Sequence, residues 1–130
     1  MRERRTKVYF DGGCRPNPGE MAAAVVIRGT VHHFPGLGCG TNSDAEWLAL
    51  IHALRIAQVE VAGGFDLLGD SALIVSQAKG ALPCRTPALL AHSRAFAELA
   101  STRPPARIRR IPRTQNLAGI ALDRWYAGGI

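Results

Sequence analysis

The sequence predicts an α/β fold, a five-stranded mixed sheet with three antiparallel strands and then two parallel ones, flanked by helices. Three observations predict it. Strand-like runs come first and are separated by short turn-forming links, the mark of hairpins. Helix-period runs then alternate with short apolar runs, the mark of parallel strands joined by crossovers. The chain has 130 residues, 47 % hydrophobic and 20 % charged, which suits one domain over residues 1–130 and is short for two.

The elements follow in order. Lys7 to Phe10 is a β-branched and aromatic strand ending at the turn signal Asp11-Gly12-Gly13. Cys14 to Glu20, with Pro16, Asn17, Pro18 and Gly19, is a loop. Met21 to Arg28 is a strand, Gly29-Thr30 a two-residue link, and Val31 to Phe34 the hairpin partner. Pro35 to Gly40 is a glycine-rich loop. Asp44 to Val61 is a helix, with Leu48, Ile51, Leu54 and Ala57 at helical spacing and Gly63-Gly64 as its stop. Phe65 to Gly69 is a short apolar strand, Ser71 to Lys79 a short helix, and Pro87 to Ala100 a longer one. Ala106 to Ile111 alternates apolar and basic residues, as a strand with one basic side does. Pro112 to Gln115 is a turn, and Asn116 to Tyr126 a final helix.

Sixteen basic residues against ten acidic ones give a net charge of +6 and a pI near 10.0. Fourteen of the sixteen are Arg, whose fork suits phosphate. A basic domain of this kind is expected to meet nucleic acid. No apolar run is long enough to span a membrane, and no signal-peptide pattern precedes Lys7, so the chain is expected in the cytoplasm. Cys14, Cys39 and Cys84 form no CxxC pair, and His32, His33, His52 and His92 show no HExxH spacing. A bound metal would therefore have oxygen ligands.

Four polar residues fall at element ends. Asp11 follows the first strand, Glu46 opens the first helix, Asp70 ends the fourth strand, and Asn116 starts the last helix. Each also has a plain structural reading. Asp11 suits a turn, Asp70 and Asn116 suit N-caps, and Ser43-x-x-Glu46 matches a capping box. Together they say more. Parallel strands gather ligands at their C-terminal edge. Three carboxylates there repel one another unless a cation lies between them. Hard oxygens select Mg²⁺ or Mn²⁺, and a pair of such ions cleaves phosphodiesters.

The same residues lie in four blocks that resemble a type 1 ribonuclease H of compact form. They are Tyr9-Phe10-Asp11-Gly12-Gly13-Cys14-Arg15-Pro16-Asn17-Pro18-Gly19, Gly40-Thr41-Asn42-Ser43-Asp44-Ala45-Glu46-Trp47, Leu68-Gly69-Asp70-Ser71 with Gln77 and Gly80, and Ile111-Pro112-Arg113-Thr114-Gln115-Asn116. They occur in family order and span nearly the whole chain. The resemblance implies a ribonuclease H-like fold and cleavage of the RNA strand of an RNA/DNA hybrid, leaving 5′-phosphate and 3′-hydroxyl ends. It implies Asp11, Glu46 and Asp70 as ligands of two Mg²⁺ ions, with Mn²⁺ able to substitute. It also implies hybrid contacts at Cys14, Asn17, Thr41, Asn42 and Gln77, and Arg113 is a candidate phosphate contact.

The sequence departs from the family pattern in three places. Ile120 stands where a fourth acid is usual, so Asn116 is expected as the replacement metal ligand and catalytic residue, with Asp123 as the alternative. No histidine lies in the loop before the last helix, and no basic insertion follows Gly80. The alternatives are an inactive hybrid-binding module or another nuclease of the same superfold. The protein is expected to act as a monomer.

Overall fold

The computed structural model describes residues 4–128. Its strands are β1 (Thr6–Cys14), β2 (Gly19–Ile27), β3 (Thr30–Phe34), β4 (Cys39–Gly40), β5 (Phe65–Gly69) and β6 (Arg107–Arg110). Its helices are α1 (Asn42–Glu60), α2 (Ala72–Ala78), α3 (Pro87–Ala100) and α4 (Leu117–Tyr126). The main sheet runs β3-β2-β1-β5-β6, antiparallel across β1, β2 and β3 and parallel across β1, β5 and β6. This is the expected mixed sheet with one addition. The glycine-rich loop folds back, and Cys39–Gly40 pairs with the start of β2 as a sixth strand.

Strand alternation sorts the core. Val8, Phe10, Val25, Phe65 and Leu67 face α1 and join Trp47, Leu50 and Leu54 in the main apolar cluster. Ala22, Ala24 and Val26 face the other way, onto Ala118 and Leu122 of α4.

Three local expectations are corrected. First, β1 does not turn at Asp11. It continues to Cys14, with Asp11 opposite Ala24 and Cys14 opposite Met21. Gly12 serves a close approach instead, because a Cβ there would lie 2.1 Å from the Ala45 carbonyl oxygen. Second, the box that opens α1 is built by Thr41 and Asp44, two residues before the expected Ser43 and Glu46. Glu46 is thus free of capping duty. Third, the β2–β3 link is Arg28-Gly29, both at positive φ, as the twist of a tight hairpin requires.

The end of α1 has no basic residue of its own. Arg103, from the segment between α3 and β6, supplies the charge. Its guanidinium donates to the carbonyls of Ala57 (3.1 Å), Gln58 (3.0 Å), Gly63 (3.0 Å) and Val61. Gln58 returns bonds to the carbonyls of Leu99 and Arg103. Arg103→Ala is expected to cost about 2–3 kcal/mol, read as a lower urea midpoint at unchanged m-value. Arg103→Lys should recover only part, since one ammonium cannot reach four carbonyls. A midpoint unmoved by Arg103→Ala would show that water caps α1 equally well.

Candidate active site

The site lies at the C-terminal edge of the parallel strands. β1 and β5 run side by side with Tyr9 opposite Leu68, so two residues further on Asp11 comes beside Asp70. Glu46 reaches them from the second turn of α1, its Oε1 accepting from the Gly12 N–H at 2.8 Å. One carboxylate oxygen from each of Asp11, Glu46 and Asp70 lies within 4.8 Å of the others. Among the described residues, no other group of three His, Cys, Asp or Glu side chains comes together this way. The donor set is all hard oxygen, as a divalent cation of the Mg²⁺ kind prefers.

The electrostatics mark the same spot. Burial pushes Asp11 up to about 6, with Asp70's charge adding to the rise and Arg113 opposing it. Burial also raises Glu46 well above the usual carboxylate range. Asp11 adds to that rise, and the Gly12 N–H opposes it. Arg113 lies among them, its Nη1 2.9 Å from Asp11 and 3.0 Å from Asp70. Its partial burial works against its charge, but the two carboxylates more than offset this and raise its pKa.

A pH dependence follows. Asp11 binds its proton more readily folded than unfolded. Its contribution to stability is therefore present at low pH and is lost as pH rises from the unfolded value of 3.8 through about 6. In EDTA, wild type is expected to lose on the order of 3 kcal/mol relative to Asp11→Asn between about pH 4 and pH 7. Urea midpoints at both pH values give the difference. A difference that does not change with pH would contradict the assignment.

Asn116 sits on the floor of the site, fully buried. Its Nδ2 donates to the Phe10 carbonyl (3.0 Å) and to Asp70 (2.6 Å), and its Oδ1 accepts from the Ala118 N–H (3.1 Å). Only the nitrogen can donate to those two oxygens, so the partners fix the amide's orientation. The oxygen that the sequence reading offered to a metal is thus spent on capping α4, and Asn116 orients Asp70 instead. Asp123 lies outside the group formed by Asp11, Glu46 and Asp70. Its exposed carboxylate is held by Arg15 (2.6 Å) and Arg113 (3.0 Å). Ile120 is exposed.

Cys14, Asn17, Thr41 and Asn42 gather beside the start of α1. The Cys14 N–H donates to Asn42 Oδ1 (2.9 Å), and the Asn42 N–H donates to Asn17 Oδ1 (3.2 Å). Gln77 does not join them. It is buried, accepting from the Trp47 indole (3.0 Å) and donating to the Pro83 carbonyl (3.3 Å), so it packs the interior rather than facing a ligand. Arg113 was expected to meet phosphate and is found among the carboxylates. No linear spacing signals this, because Asp11 and Asp70 are 102 and 43 residues away.

A sheet of this order, with three acids at its parallel edge, defines a ribonuclease H-like protein with a carboxylate site. A family model described as reverse transcriptase-like matches residues 9–124. The ribonuclease HI of Halobacterium salinarum is 34 % identical over 129 residues, covering 92 % of this chain. The chain spans 65 % of that relative's own length. The crystal structure of ribonuclease H1 from the same archaeon superposes with a TM-score of 0.85 at 30 % identity, covering 97 % of this chain and 100 % of that one. A second structure is LC11-RNase H1 in complex with an RNA/DNA hybrid. It superposes with a TM-score of 0.78 at 31 % identity, covering 91 % and 93 %. The chain belongs to the reverse transcriptase-like, ribonuclease H family.

Proposed function

We propose that the protein is an endoribonuclease that hydrolyses the RNA strand of RNA/DNA hybrids, leaving 5′-phosphate and 3′-hydroxyl ends. It acts as a single-domain monomer in the cytoplasm. The observation that carries this reading is the convergence of Asp11, Glu46 and Asp70 on one point. Three carboxylates this close, with Arg113 offsetting only part of their charge, fit a divalent cation. These residues would hold two Mg²⁺ ions, or Mn²⁺ in their place. When bound, such ions activate water and stabilise the departing 3′ oxygen.

The chain's own groups do the rest. Asn116 and the Gly12 N–H hold Asp70 and Glu46 in place. Arg113 offsets part of the carboxylate charge and stands ready for a phosphate oxygen. Cys14, Asn17 and Asn42 are small polar groups suited to the 2′-hydroxyls of a wide minor groove. Thr41, at the start of α1, suits a phosphate of the DNA strand. The hybrid solved with LC11-RNase H1 supports this choice of substrate. No helix among the described residues is long and apolar enough to cross a membrane, and the three cysteines are unpaired, as suits a reducing compartment.

Incubation with an RNA/DNA hybrid, duplex DNA, duplex RNA and a four-way junction, each with Mg²⁺, Mn²⁺ or EDTA, tests the reading. Cleavage of the hybrid alone, stopped by EDTA, is expected. Tight hybrid binding without cleavage under either metal would make the protein a binding module. Cleavage of the junction would make it another nuclease of the superfold.

A further inference from the structure

The second face of the sheet is only half covered. α4 packs on β1, β2 and β3, and among the described residues no helix covers that face of β5 and β6. Register shows what lies there. Ile108 pairs with Leu67 and faces the main core, so Arg107 and Arg109 point to the opposite face, beside Asp66 and Leu68. Lys7 sits across from Asp66 on its other side. Leu68 is buried although it belongs to neither apolar cluster. Its cross-strand neighbours are Tyr9 and Arg109, so an arginine stem can serve as cover where a helix is missing.

This face is basic. Lys7, Arg107 and Arg109 are exposed and take part in no ion pair among the described residues. Asp66, the acid among them, is neutralised by Arg5 at 2.8 Å. At the end of the sheet away from the carboxylates, a cleft of about 470 Å³ is lined by Arg4, Arg5, Thr6, Lys7 and Arg28. Lys7 stands four residues before Asp11, roughly 13 Å along the strand. Same-face neighbours on a strand lie about 7 Å apart and adjacent strands about 4.8 Å, so the cations form a flat grid. A surface that takes up single strands needs exposed aromatic rings for stacking. Here Tyr9 is the ring on the face, and it is half-buried.

We propose that this open half of the sheet is a docking surface for double-stranded nucleic acid, held by its phosphates alone and set beside the carboxylate site on the same face. Such binding is insensitive to base sequence and depends steeply on salt. It keeps the protein on a duplex that it does not cut.

The probe is duplex DNA, so the result does not depend on whether hybrids are cleaved. Affinity is measured across a salt series for wild type, Arg107→Gln/Arg109→Gln and Lys7→Gln. Thermal melts confirm that each variant is folded, since Arg5 still pairs with Asp66. The slope of log K against log salt is expected to fall by about two in the double variant and about one in Lys7→Gln. Duplex DNA is expected to inhibit hybrid cleavage less in the double variant than in wild type. Equal slopes in all three proteins would overturn the proposal, as would tighter binding of single-stranded than of duplex DNA. Competitive inhibition of cleavage that persists in the double variant would also overturn it, by placing the duplex at the catalytic edge.

Discussion

Asp70→Asn is expected to leave the fold and hybrid binding intact and to lower metal-dependent cleavage by roughly a thousandfold or more. A bound cation contributes several kcal/mol to the transition state, and each 1.36 kcal/mol is a factor of ten. Asn has the shape of Asp but one neutral oxygen in place of a shared charge. Asp70 also accepts the only side-chain bond that Asn116 gives to another side chain, at 2.6 Å, and one from Arg113 at 3.0 Å. The substitution therefore removes the charge offered to a cation and weakens, without abolishing, the anchor of its neighbours. Single-turnover cleavage and hybrid affinity, measured side by side, separate chemistry from binding. A variant that keeps more than a tenth of the wild-type rate would remove Asp70 from the site.

Gly12→Ala is expected to act on fold and chemistry together. Its Cβ would come 2.1 Å from the Ala45 carbonyl oxygen and 2.8 Å from the Glu46 nitrogen, both backbone atoms of α1. Neither can rotate away, so α1 must move off the sheet. Overpacking of this kind costs about 1–3 kcal/mol and more where backbone is the obstacle. The shift would also break the 2.8 Å bond from the Gly12 N–H to Glu46. Thermal denaturation and hybrid cleavage should both fall. Gly13→Ala is the control, since its Cβ would meet nothing closer than 3.7 Å. Equal behaviour of the two variants would refute the close-approach explanation.

The fold was legible because its signals are local. Strand runs, the helical stripe of α1 and the glycine stops each lie within one element, and their succession implies a sheet antiparallel first and parallel later, while the neighbour order β3-β2-β1-β5-β6 is seen only in the folded chain. The three acids were legible for a related reason. Each was read near an element's end, where parallel strands gather ligands, although β1 runs on to Cys14 and Glu46 lies in the second turn of α1. What stayed hidden depends on register and orientation. The local pattern Ser43-x-x-Glu46 suggested a cap, yet Thr41 and Asp44 make it. The spacing of Asn116 suggested a ligand, but three hydrogen bonds turn its oxygen away. Gln77 lay in a motif, but Trp47, thirty residues earlier, claims it. Arg113 was read as a phosphate contact, and only the folded chain sets it between Asp11 and Asp70.

The helix that carries Glu46 is secured at both ends, by the Thr41–Asp44 box and the Gly12 contact at its start and by Arg103 at its finish. Eight of its side chains are buried, whereas α3 buries Phe96 alone. The two helices therefore belong to different tiers of permanence. Amides of α1 are expected to exchange more slowly than those of α3, which is joined to α1 through His92 and Leu99. Glu46 thus stands on the more firmly held of the two helices, with Asp11 and Asp70 carried by the sheet beside it.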